Sequence, residues 1–132
     1  MTRGAGGDGE RGREPTADGD LAAHVRAGVD HYNAGRFWQA HESLEVVWRQ
    51  AAPPERPLWQ GLIQAAAAML HRERGNRHGV EAQGRAALEK LRAPAPRGFP
   101  IETVRFLQEL TACIEAGGPV PRMAFTETEQ GA

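Results

Sequence analysis

The chain has 132 residues, 40% hydrophobic and 25% charged, with 16 Lys and Arg against 17 Asp and Glu for a formal net charge of -1. Those values describe an ordinary soluble globular domain, argue against a generally nucleic-acid-binding surface, and leave no apolar run near the ~20 residues a membrane-spanning helix needs. The single cysteine, Cys113, excludes an intramolecular disulfide and a cysteine-built zinc cage, and it suits a cytoplasmic protein.

Residues 1–19 are rich in glycine and charge, with no apolar stretch behind the charges. They are expected to form a disordered tail and not a secretory signal. From Asp20 the pattern changes: Leu21, Val25, Val29 and Tyr32 recur as one face of a helix, with Asp20 as its N-cap and Asn33 to Gly35 as its stop. His24 and His31 fall beside this stripe and read as half-exposed surface histidines.

A second helix is expected over about 36–50, its face centred on Phe37, Leu44 and Trp48, and it ends before the prolines of AAPPERP. Pro57 suits the first turn of a third helix. That helix, LWQGLIQAAAAMLHRER, is apolar around more than half its circumference and is the expected centre of the fold. Gly75 and Asn76 have stop-and-restart chemistry, and the fourth helix presents Val80, Gly84, Ala87, Leu88 and Leu91 on one face. After APAPRGFP a fifth helix is expected over 101–116, with Val104, Leu107, Leu110, Thr111 and Ile114 inward.

No segment alternates like a strand. The expected fold is all-α: a compact antiparallel bundle of about five helices in helix-hairpin units over 20–117, followed by a flexible C-terminal tail over 118–132. The stretch from 70 to 100 holds seven Arg and Lys against three Glu. No aromatic residues interleave with them as a base-stacking platform requires, so they read as solvated helix faces and nucleic acid as an improbable partner. A protein partner or a homo-oligomer remains open.

Polar side chains on the two core helices raise the functional question. At about 100° per residue, His41 falls within the apolar face of the second helix and Glu45 at its edge, while Glu42 points away. On the third helix Gln60, Gln64 and His71 share a narrow arc. Burying a polar group without a partner costs roughly 1–3 kcal/mol, so the two stripes are expected to face one another, with Trp38, Trp48 and Trp59 packed nearby.

Three readings of that cluster stand side by side. It could be a hydrogen-bonded network that fixes helix register. It could be a divalent-metal site with His41, Glu45 and His71 as ligands and an open position for a water nucleophile, making the chain a small hydrolase with Glu42 as a weak candidate base. Or it could be metal-free acid–base chemistry or a small-ligand pocket lined by the tryptophans. The Glu-x-x-His pairs of di-iron bundles are missing, and there is no phosphate-binding loop or dinucleotide fingerprint.

The stretch YNAGRFWQAHESLEVVW, followed by LWQGLIQAAAAMLHRERGN, resembles the prokaryotic domain-of-unknown-function 309 family. The matching positions are Tyr32, Asn33 and Gly35 of an aromatic-Asn-x-Gly turn, and His41, Glu42, Glu45 and Trp48 of an H-E-x-x-E-x-x-W motif. Gln60 to Gln64 match Q-G-L-I-Q, and His71, Gly75 and Asn76 match a histidine one turn before Gly-Asn. Val80 departs from the family's alanine after Gly79. The resemblance implies a compact helical domain of small cytosolic proteins and supplies no activity.

Overall fold

The computed structural model describes residues 20–127. Five helices follow in chain order: α1 (Leu21–Asn33), α2 (Phe37–Gln50), α3 (Arg56–Glu73), α4 (Arg77–Lys90) and α5 (Val104–Ala116). The expected tail over 1–19 lies outside the described residues.

Short connections make neighbours antiparallel. Gly35 and Gly75, at φ 82° and 71°, supply the left-handed residue that turns the chain after α1 and α3. Asn76 caps α4 as its sequence suggests, its Oδ1 accepting from the Gly79 N–H at 3.0 Å. Each helix packs on the next, α3 most extensively on α4, with α2 on its other side. The alanine run of α3 makes this possible: Ala65, Ala66 and Ala68 are fully buried beside Leu58, Leu62 and Met69. The expected central position of this helix is what the packing realises.

Two expectations about the C-terminal part need correction. The fifth helix starts at Val104 and not at 101, and Val104 is 66% exposed. Leu110 is buried as expected, with Leu107 and Ile114 partly buried against the core, but the other fully buried residues of α5 are Phe106 and Cys113. Phe106 wins the interior because its ring meets Tyr32 edge-on at 5.9 Å. Ile101 pairs in an antiparallel bridge with Phe125. The second correction follows from that bridge: residues 118–127 fold back over the helices. The Glu102 N–H donates to Ala124 O at 2.9 Å and the Thr126 N–H to Pro100 O at 2.8 Å. Met123 is 1% exposed. Asn33 clasps its backbone from both sides, donating from Nδ2 to Met123 O and accepting at Oδ1 from the Met123 N–H, each at 2.9 Å. A short segment with two prolines and no helical or strand periodicity gave no sign that one methionine and one asparagine amide would anchor it.

Candidate functional site

On α2 the ring contact of His41 and the ion pair of Glu45 run along their own helix. His41 is half-buried and stacks on Trp38, ring centroids 5.4 Å apart and 14° from parallel. Its Nδ1 is buried with no hydrogen-bond partner among the described residues. Glu45 pairs with Arg49, one turn on, at 3.3 Å on a solvated flank. Trp48 is half-buried beneath the Arg56 guanidinium, which lies 4.3 Å from the ring centroid and donates to Trp48 O at 3.0 Å. Glu42 is exposed and borders a groove of about 490 Å³ shared with His24 and His31.

The seam on α3 makes its hydrogen bonds toward α4. Gln64 Oε1 accepts from Lys90 Nζ at 3.4 Å. His71 Nδ1 lies 3.1 Å from Asn76 Nδ2. Because Asn76 Oδ1 already accepts from Gly79, its Nδ2 is the donor and His71 Nδ1 the acceptor. Gln60 is half-buried on the same helix. Glycines set this rotation. A Cβ on Gly61 would lie 2.8 Å from Leu91 Cγ, and one on Gly79 would lie 2.4 Å from His71 Cγ, so α4 can approach α3 only where these side chains are missing.

The recorded partners of the two stripes therefore lie apart: Arg49 and Trp38 for α2, Lys90 and Asn76 for α3. Among the described residues no three His, Cys, Asp or Glu side chains are grouped to hold a metal ion, so His41, Glu45 and His71 are not assembled as a ligand set. Trp59 leaves the cluster as well. It is 2% exposed, donates from Nε1 to Glu55 at 3.0 Å, and packs on Phe99 at 4.8 Å.

A different concavity lies where the α1–α2 turn, the end of α3 and the returning segment meet. It measures about 720 Å³ and is lined by Tyr32, Phe37, Met69 and Val120 on its apolar side. Arg72, Arg122 and Glu73 bring charge to it. Arg72 is held in place, Nη1 donating to Gly118 O at 2.9 Å and to Cys113 Sγ at 3.0 Å. Burial pushes the Cys113 thiol up from its ordinary range, against the opposing pull of Arg72. Burial likewise drives the Tyr32 phenol far above its usual value, and among the described residues the hydroxyl has no hydrogen-bond partner. Sequence reasoning assigned Arg72 to a solvated face and Val120 and Arg122 to a tail. Only the aromatic-Asn-x-Gly turn hinted at this corner.

Fold and motif positions together define a small all-helical domain. Residues 25–82 match the family described as Domain of unknown function (DUF309), which bears out the resemblance drawn from the motifs. The chain is also 34% identical over 92 residues to an "Uncharacterized protein" of Aquifex aeolicus (strain VF5), a match covering 67% of this chain and 28% of that protein. The chain thus spans less than a third of that relative's length. No solved structure matches the chain. Among the described residues no helix is long and apolar enough to cross a membrane.

Proposed function

We propose that the protein is a cytoplasmic, non-catalytic helical module, structural or protein-interacting, whose polar motif positions hold its helices in register. One observation carries this reading: four of the motif side chains bond to separate partners inside the chain, while His41 stacks on Trp38. Asn33 binds the Met123 backbone, Gln64 binds Lys90, His71 binds Asn76, and Glu45 binds Arg49. A hydrolytic site needs ligands that converge and leave a position open, and these side chains diverge onto separate partners. Trp38, 52% exposed and backed by His41, is the aromatic best able to hold a protein partner or a second copy.

The test is a set of thermal melts of the purified protein with and without added zinc, manganese and ferrous iron. A ligand that binds only the folded state raises the melting temperature. The module reading expects no metal-dependent rise. A rise that disappears in His41→Ala or His71→Ala, with the variant still folded, would overturn it in favour of a metal-dependent hydrolase.

A further inference from the structure

We infer that the cleft between the α1–α2 turn, the end of α3 and residues 120–122 binds a small organic carboxylate with an apolar body. Its volume, about 720 Å³, lies within the 300–1,000 Å³ usual for small-molecule sites. Phe37, Met69, Val120 and Pro121 give it an apolar wall. Val120, 42% exposed, leaves part of that wall open to solvent.

Charge selects the sign of the ligand. Two guanidiniums, Arg72 and Arg122, meet one carboxylate, Glu73, at the rim. The Arg72 guanidinium is oriented by Gly118 O and Cys113 Sγ through a single nitrogen, Nη1, and among the described residues these bonds leave the Nε–Nη2 edge of the fork for a bidentate carboxylate. The start of α2 favours the same sign. Phe37, its first residue, lines the cleft, and among the described residues no side chain caps that helix or places an acid in its first turn. The carbonyl ends of α1 and α3, which would repel an anion, are covered in part by backbone bonds to the carbonyls of residues 30–32 and 70–72. The N–H groups of Ala34, Gly35 and Arg36 cover α1, and those of Arg74, Gly75 and Asn76 cover α3.

The experiment is a titration of the full chain with octanoate and with 1-octanol, followed by backbone amide NMR shifts. Octanoate should shift residues of the 32–37 turn and of 120–122, and bind more tightly than octanol. Arg122→Gln, on an exposed residue, should weaken octanoate by about tenfold and leave octanol unchanged. Arg72→Met should do the same, and its folded state is checked by its amide spectrum. Equal binding of octanoate and octanol would overturn the assignment, as would octanoate shifts spread outside the cleft or unchanged affinity in Arg122→Gln. A short peptide bearing a free C-terminal carboxylate is the third arm. Binding tighter than octanoate would move the assignment from a free acid to a chain end, overturning it as stated.

Discussion

Asn33→Ala offers the sharpest test of how the returning segment is held. The asparagine amide makes two hydrogen bonds to the Met123 backbone, both 2.9 Å, across 90 residues of sequence. Each is worth about 1 kcal/mol net, and truncation also leaves a buried N–H and C=O without partners, at roughly 1–3 kcal/mol each if they stay buried. Asn33 is only half-buried, so partial hydration offsets part of this and the expected loss is about 2–3 kcal/mol. For a domain of roughly 100 residues that lowers the melting temperature by about 10 °C or more. Urea denaturation gives the free energy, and hydrogen exchange reads the place. The amides of Met123, Glu102 and Thr126 should lose protection while those of α3 keep theirs, because the last two depend on the segment's pairing with 100–102. A variant within about 0.5 kcal/mol of the parent, with an unchanged Met123 amide, would refute the clamp.

Tyr32→Phe should leave stability unchanged or raise it by about 1 kcal/mol in urea melts, because the hydroxyl it removes is buried without a partner among the described residues while the ring contacts with Phe37 and Phe106 remain. A loss of that size would mean that the hydroxyl has a bond the geometry does not contain. Gly79→Ala should destabilise the fold by about 1–3 kcal/mol despite a helix-propensity gain near 1 kcal/mol, since the new methyl meets the His71 ring. Thermal melts would reveal it, and a stabilised variant would mean that the ring swings aside at little cost. Raising the pH should weaken the fold from about 9 upward. Cys113 and Tyr32 have raised folded-state pKa values, so their contribution is complete below the ordinary 9.0 and 10.0 and is lost as pH climbs from those values toward the folded ones. Denaturation midpoints between pH 7 and 11 should trace that fall, with a shallower limb in Tyr32→Phe.

The helices were legible because their information is local. The stripe Leu21, Val25, Val29, Tyr32, the prolines before α3 and the Gly75–Asn76 turn each act within a few residues, and the structure places helices and caps where those signals stand. The rotation of one helix against another is not local. Periodicity grouped Gln64 with His71, yet it could not say which neighbour their side faces. That depends on α4 coming close at Gly61 and Gly79, a contact between residues whose distinguishing feature is an absent side chain. Val104 failed for a related reason. The apolar face of α5 is broad, and the choice between its edges is made by the fit of Phe106 against Tyr32, an aromatic contact across 74 residues of sequence.

The cleft carries this asymmetry into function. Its floor comes from the part of the chain that matches the family: the turn at Tyr32 to Gly35, the start of α2 and the end of α3 all fall within 25–82. Its remaining wall, Val120 to Arg122, comes from outside that stretch and is held there by Asn33, itself a residue of the turn. The same asparagine that ends α1 therefore fixes the distance between the two guanidiniums, one on α3 and one on the returning segment. Loosening it should cost carboxylate affinity as well as stability. In Asn33→Ala, kept folded by mild conditions, Arg122 would no longer be held opposite Arg72, and octanoate should bind no better than it does to Arg122→Gln. If the variant instead kept parental affinity while the Met123 amide exchanged freely, Arg122 would have no part in the site, and the carboxylate assignment would fall with it.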